Sequence, residues 1–136
     1  MDNMTTELLA KAKVAMENAY SPYSEFKVGA AVLTADGRIF SGCNIENASY
    51  GATICAERCA MFKAVSEGCN KFTRIAVVCS SGHYAYPCGM CRQVMAEFMD
   101  SDAVVILEDC DKGILEISLG DSLPYAFSGK DLENGK

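Results

Sequence analysis

A chain of 136 residues, half of them hydrophobic and 22% charged, is long enough for one domain with its own core, and this composition excludes intrinsic disorder. The formal net charge of -6 argues against a nucleic acid strand as partner, because such binders carry a basic excess that neutralises phosphates. No apolar run approaches a membrane span, and the N-terminus lacks a basic region followed by a hydrophobic core, so a soluble cytoplasmic protein without a membrane partner is expected.

Residues 5 to 19 form the first expected element. Leu8, Leu9, Ala12, Ala15, Met16 and Ala19 recur at helical spacing, with Thr5 or Thr6 as cap and Pro22 as the stop. Val28 to Leu33 and Ile39 to Cys43 read as strands, and Asp36-Gly37 between them signals a hairpin. Cys55 to Glu67 reads as a helix closed by Gly68, Ile75 to Cys79 as a buried strand, and Pro87 to Phe98 as a helix with proline in its first turn.

Val104 to Leu107 is another buried strand, and residues 114 to 119 alternate as a half-exposed one. The few residues between these two are too short for a parallel crossover, so the last two strands should be antiparallel. The expected class is α/β: a three-layer α/β/α sandwich around a mixed five-stranded sheet, in a single domain over residues 1–136.

Eight cysteines without a signal peptide, in a chain that needs no staples, read as reduced. Three of them carry the chemistry. Cys55 opens one expected helix, and Cys88 and Cys91 share a face at the start of another, in Pro87-Cys88-Gly89-Met90-Cys91. Helix N-termini favour thiolate over thiol, the form that binds a metal. Three thiolates leave the fourth position of tetrahedral zinc open, and Glu57, not needed as a ligand, can serve proton transfer.

Two features weigh on that reading. Cys55 and Glu57 are separated by about 200 degrees on a regular helix, so they converge only at its very start. Cys59, one turn after Cys55, supplies the competing reading of a closed four-cysteine structural site. Cys69, Cys79 and Cys110 are isolated and expected in the core, and His83, in a polar loop outside the motif, is not expected to ligate zinc.

Cys55-Ala56-Glu57 followed by Pro87-Cys88-x-x-Cys91 resembles the zinc-dependent cytidine deaminase family in its small, free-nucleoside branch. Phe26-Lys27-Val28-Gly29-Ala30, Gly42-Cys43-Asn44-Ile45-Glu46-Asn47 and Arg58 resemble that branch in the same order. The resemblance implies one zinc ion per subunit and a homotetramer with shared active sites. It also implies hydrolysis of cytidine or 2′-deoxycytidine to the uridine product and ammonia, as in pyrimidine salvage. A deaminase of another cytosine nucleoside analogue is the nearest alternative.

By the same resemblance, Cys55, Cys88 and Cys91 are the ligands, Glu57 moves the protons, and the Arg58 guanidinium bonds to the thiolates and draws off their charge. Asn44 and Glu46, two apart on a strand end, would hold the ribose 3′-hydroxyl. Ile45, Ala56, Phe26 and Tyr50 complete the substrate contacts, with Phe127 contributed by another subunit. Three positions depart from the family pattern: Cys59 where threonine is common, Tyr86 where a small hydroxyl residue usually precedes the proline, and Tyr125 where glycine is common.

Overall fold

The computed structural model describes residues 2–134, in the order α1 (Asn3–Met16), β1 (Val28–Thr34), β2 (Ile39–Cys43), a 3-10 turn (Tyr50–Ala52), α2 (Ala56–Ser66), β3 (Phe72–Cys79), α3 (Gly89–Phe98), β4 (Met99–Asp109), β5 (Gly113–Ser118), α4 (Leu119–Ser122) and α5 (Gly129–Asn134). The strands form one mixed five-stranded sheet in the order β2-β1-β3-β4-β5. Among the described strands β3 and β4 are the parallel pair, and α3 makes the crossover between them. β4 and β5 pair antiparallel, as their short link requires.

Alternation along the strands divides the core in two. Ala30, Val32, Ile75, Val77, Val105 and Leu107 face α2 and α3. Their neighbours Ala31, Leu33, Ala76, Val78 and Ile106 face Leu8, Leu9 and Ala12 of α1. Helices therefore cover both faces of an open sheet. Two glycines set the distance of closest approach. A Cβ on Gly29 would lie 2.7 Å from Met16 N and closer still to the Ala12 carbonyl oxygen, and one on Gly42 would lie 2.6 Å from Ala60 N. Their bare backbones let α1 and α2 settle on the β1–β2 pair.

Several boundaries differ from the sequence expectation. Asp2, rather than Thr5 or Thr6, caps α1 by accepting from Thr5 N at 2.8 Å, and Arg74 Nη1 donates to both of its oxygens. α1 stops at Met16, well before Pro22, because the next amides bond three residues back: Asn18 N to Ala15 O at 3.0 Å and Ala19 N to Met16 O at 3.1 Å. The apolar period runs on through this tightened turn.

α3 begins at Gly89, and Pro87 lies outside it; Cys88 is the cap, its carbonyl accepting the first helical bond from Arg92 N at 3.0 Å. β3 and β4 extend beyond their apolar cores to Phe72 and Met99. Leu119 belongs to α4 rather than to the last strand, since the Ser118 hydroxyl caps that helix by accepting from Asp121 N at 3.1 Å.

Candidate active site

The two helix starts that carry the cysteine motifs meet at one end of the sheet. Cys55 is the cap of α2 with extended backbone (φ −76°, ψ 154°), so the helical wheel does not apply to it. Glu57 follows as the second helical residue, and both it and Cys55 face the same cavity. The approach to Cys55 is fixed by Ile45 and Ile54, whose backbones exchange two hydrogen bonds of 3.0 Å. From α3 come Cys88 at the cap and Cys91 in the first turn.

The sulfurs of Cys55, Cys88 and Cys91 all lie within 4.8 Å of one another, with Cys55 to Cys88 at 3.8 Å and Cys88 to Cys91 at 3.4 Å. Cys59 does not join this group. Arg58 donates from Nη2 to Cys55 Sγ at 3.4 Å, and its buried Nε has no hydrogen-bond partner among the described residues. The Cys55 thiol is pushed down to about 5, first by a hydrogen bond from Cys91 and then, against the cost of burial, by Arg58 and Cys88. Cys91 moves the other way, because it holds the proton shared with Cys55 and burial disfavours its thiolate.

These residues fit a zinc ion. Three soft donors converge, one of them already stabilised as thiolate, with a guanidinium against the sulfur and no fourth protein ligand in the group. Glu57 is 4% exposed, and burial is the main cause that raises its carboxyl to about 7; the charge on Cys55 adds to the rise, while its own backbone, Cys91 and Arg58 oppose it.

The cavity above them measures about 460 Å³. Phe26, Asn44, Glu46 and Ala56 line it together with Cys55, Glu57 and Cys88. Asn44 is fixed in place, its Oδ1 accepting from Val28 N at 2.8 Å and its Nδ2 donating to Phe26 O at 2.8 Å. The Glu46 Oε1 accepts from Tyr23 N at 3.0 Å and Ser24 N at 3.1 Å, while Oε2 accepts from the Ser24 hydroxyl.

Ile45 is exposed and does not line this cavity. Tyr50 lies in an adjoining depression of about 420 Å³ that shares Ser24, Glu46 and Thr53 with it. Phe127 is exposed, and its carbonyl accepts from Gln93 Nε2 at 2.7 Å. The cavity also contains residues that sequence reasoning passed over: Ser24, Thr53, Ile54, Tyr84 and Ala85. Nothing local marks Ser24, whose partner Glu46 lies 22 positions away. Cys69 and Cys79 are buried as expected, whereas Cys110 is exposed, because it sits in the β4–β5 turn beyond the end of the core strand.

Residues 2–108 match the family model for the cytidine and deoxycytidylate deaminase zinc-binding region. The chain belongs to the cytidine deaminase family. It is 50% identical over 126 residues to a cytidine deaminase of Sporosarcina psychrophila, covering 93% of each chain. A cytidine deaminase of Halalkalibacterium halodurans is also 50% identical, over 127 residues, with 93% of this chain and 96% of that protein covered. The crystal structure of the Burkholderia pseudomallei cytidine deaminase superposes with a TM-score of 0.85 at 47% identity, covering 93% of this chain and 100% of that one. The cytidine deaminase family is zinc-binding and hydrolytic, so the chain is a hydrolytic deaminase whose cysteine cluster could hold the zinc.

Proposed function

We propose that the protein hydrolyses the 4-amino group of cytidine and 2′-deoxycytidine, releasing ammonia and leaving uridine and 2′-deoxyuridine, as a step of pyrimidine salvage. The observation that carries this reading is the buried Glu57 carboxyl beside three convergent thiols, in a cavity also lined by Asn44 and Glu46. A volume of about 460 Å³ suits a small polar ligand with one flat ring.

Cys55, Cys88 and Cys91 would hold zinc, which when bound supplies the Lewis acidity that makes water a nucleophile near neutral pH. Glu57 takes one proton of the attacking water and delivers it to ring N3, where it stays. It then takes the second from the new C4 hydroxyl and gives it to the amino group, which leaves as ammonia rather than as an amide anion while the C4 carbonyl forms. Its burial excludes bulk water from that transfer. Arg58 stands against the thiolate charge, and Phe26 presents its ring to the pyrimidine.

Asn44 and Glu46 hold the 3′-hydroxyl of the sugar. Ile45 contributes backbone support for the Cys55 approach, and Ala56 packs beneath the ring. The protein acts as one domain in a cytoplasmic homotetramer, with Tyr50 and Phe127, both exposed on the isolated chain, reaching towards neighbouring sites. Its eight free cysteines suit a reducing compartment.

The test is to mix zinc-loaded protein with cytidine, 2′-deoxycytidine, cytosine or blasticidin S and follow the ultraviolet change together with ammonia release. Turnover of the two nucleosides is expected. Ammonia from none of the four, with zinc present, would contradict the reading in favour of a structural zinc module.

A further inference from the structure

A second group of metal-ligating side chains lies outside the three-thiol cluster. The segment between β3 and α3 is tied to the β4–β5 turn by Cys110 N, which donates to Gly82 O at 2.7 Å. A Cβ on Gly82 would lie 3.3 Å from Cys110 Sγ, so the thiol rests directly on that segment. Donor atoms of His83, Asp109, Cys110 and Asp111 consequently all fall within 4.8 Å of one another.

Asp109 organises the group. It is 5% exposed, and its Oδ1 accepts from Asp111 N at 2.9 Å and Lys112 N at 3.1 Å. Those two bonds fix the carboxylate so that Oδ2 stands 3.1 Å from His83 Nδ1. The other three side chains are exposed and can close on an ion without uncovering core.

We propose that His83, Asp109, Cys110 and Asp111 form a second, outer site for a divalent transition-metal ion of the zinc and cobalt class. An imidazole, a thiol and carboxylates make a mixed nitrogen, sulfur and oxygen set, which selects such ions over magnesium or calcium. Bonds of about 2.0–2.3 Å put the ligand atoms of a tetrahedral ion about 3.3–3.8 Å apart, and donors already within 4.8 Å of one another reach that spacing by a small closure. His83 lies in the segment between β3 and α3 and Asp109 is the last residue of β4, 26 positions away, so ordinary turn chemistry does not account for the convergence. Lys112 lines a shallow cavity of about 260 Å³ together with His83, Asp109 and Asp111, and its positive charge makes this the weaker of the two sites. The clamped segment carries Tyr84, Ala85 and Tyr86, which also line the cavity above Glu57.

The competing account is that the His83–Asp109 hydrogen bond only staples the segment between β3 and α3 to the end of β4, and Cys110 separates the two accounts, because a staple needs no thiol. Cobalt(II) is titrated into protein carrying one tightly bound zinc per chain, reading the thiolate-to-cobalt charge-transfer band and, by elemental analysis, the zinc retained. One further cobalt per chain is expected, with the band present and zinc still at one equivalent. His83→Ala should weaken this second binding by at least about tenfold, Cys110→Ser should also abolish the band, and Cys59→Ser should change neither. No second equivalent, a band that grows only as zinc leaves, or second binding that Cys110→Ser does not alter (an adventitious ion only) would each overturn the proposal.

Discussion

Ser24 grips Glu46 through two groups: its amide donates to Oε1 at 3.1 Å and its hydroxyl to Oε2. The same hydroxyl oxygen accepts from Phe26 N at 3.0 Å. One small side chain thus aims the carboxylate assigned to the sugar and the backbone of the aromatic assigned to the base. Ser24→Ala keeps the two amide bonds to Oε1 but leaves Oε2 and the Phe26 amide without their hydroxyl partner. The expected outcome is a KM for cytidine raised about three- to tenfold with kcat within about twofold, measured by steady-state kinetics. A lower kcat at unchanged KM would place Ser24 elsewhere in the mechanism.

Arg58 Nη2 lies 3.4 Å from Cys55 Sγ, the contact through which it is proposed to offset thiolate charge. Arg58→Ala should lower zinc affinity by about 10- to 100-fold in chelator competition, the range found when groups supporting metal ligands are removed. Unchanged affinity would make Arg58 a bystander to metal binding.

Tyr125 has a φ of 55°, in the left-handed region, and its side chain is fully exposed. The family resemblance makes glycine the expected residue here, and a left-handed backbone is one that glycine adopts freely. Tyr125→Gly relieves a conformation that L side chains adopt at a cost, partly offset by the extra freedom of glycine in the unfolded chain. A gain of about 0.5–1 kcal/mol is expected in thermal or denaturant unfolding. A loss would show that the tyrosine ring is held in the assembled protein.

At Gly29 the backbone of α1 leaves no room for a side chain on β1. A methyl group there meets backbone atoms of Ala12 and Met16, which have no rotamer to change, so Gly29→Ala should destabilise by about 3 kcal/mol, read from the denaturation midpoint. A midpoint within error of wild type would mean that α1 can lift from the sheet without cost.

Much of this architecture was legible because it depends on local periodicity. The β1–β2 hairpin, the buried β3 and β4, and the antiparallel β4–β5 link follow from apolar runs and turn residues in the chain. The metal cluster was legible for a related reason: its cysteines sit at helix starts, and caps are local features. The end of α1 was not, since the apolar period continues to Ala19 while the hydrogen bonds tighten after Met16. Cys55 and Glu57 converge through a cap conformation that no helical wheel represents. Ser24 and the exposed Cys110 depend on contacts between distant segments, which neither spacing nor composition records.

In the proposed mechanism Glu57 moves the protons of a hydrolytic deamination without holding the metal. Glu57→Gln keeps the shape of the side chain and removes its ability to exchange a proton at neutral pH. Cytidine turnover by this variant, measured alongside its zinc content, is the most direct test. The expected result is one zinc per chain and kcat lowered by at least about 10³-fold. A zinc-loaded variant that deaminates cytidine within about tenfold of the wild-type rate would contradict the mechanism.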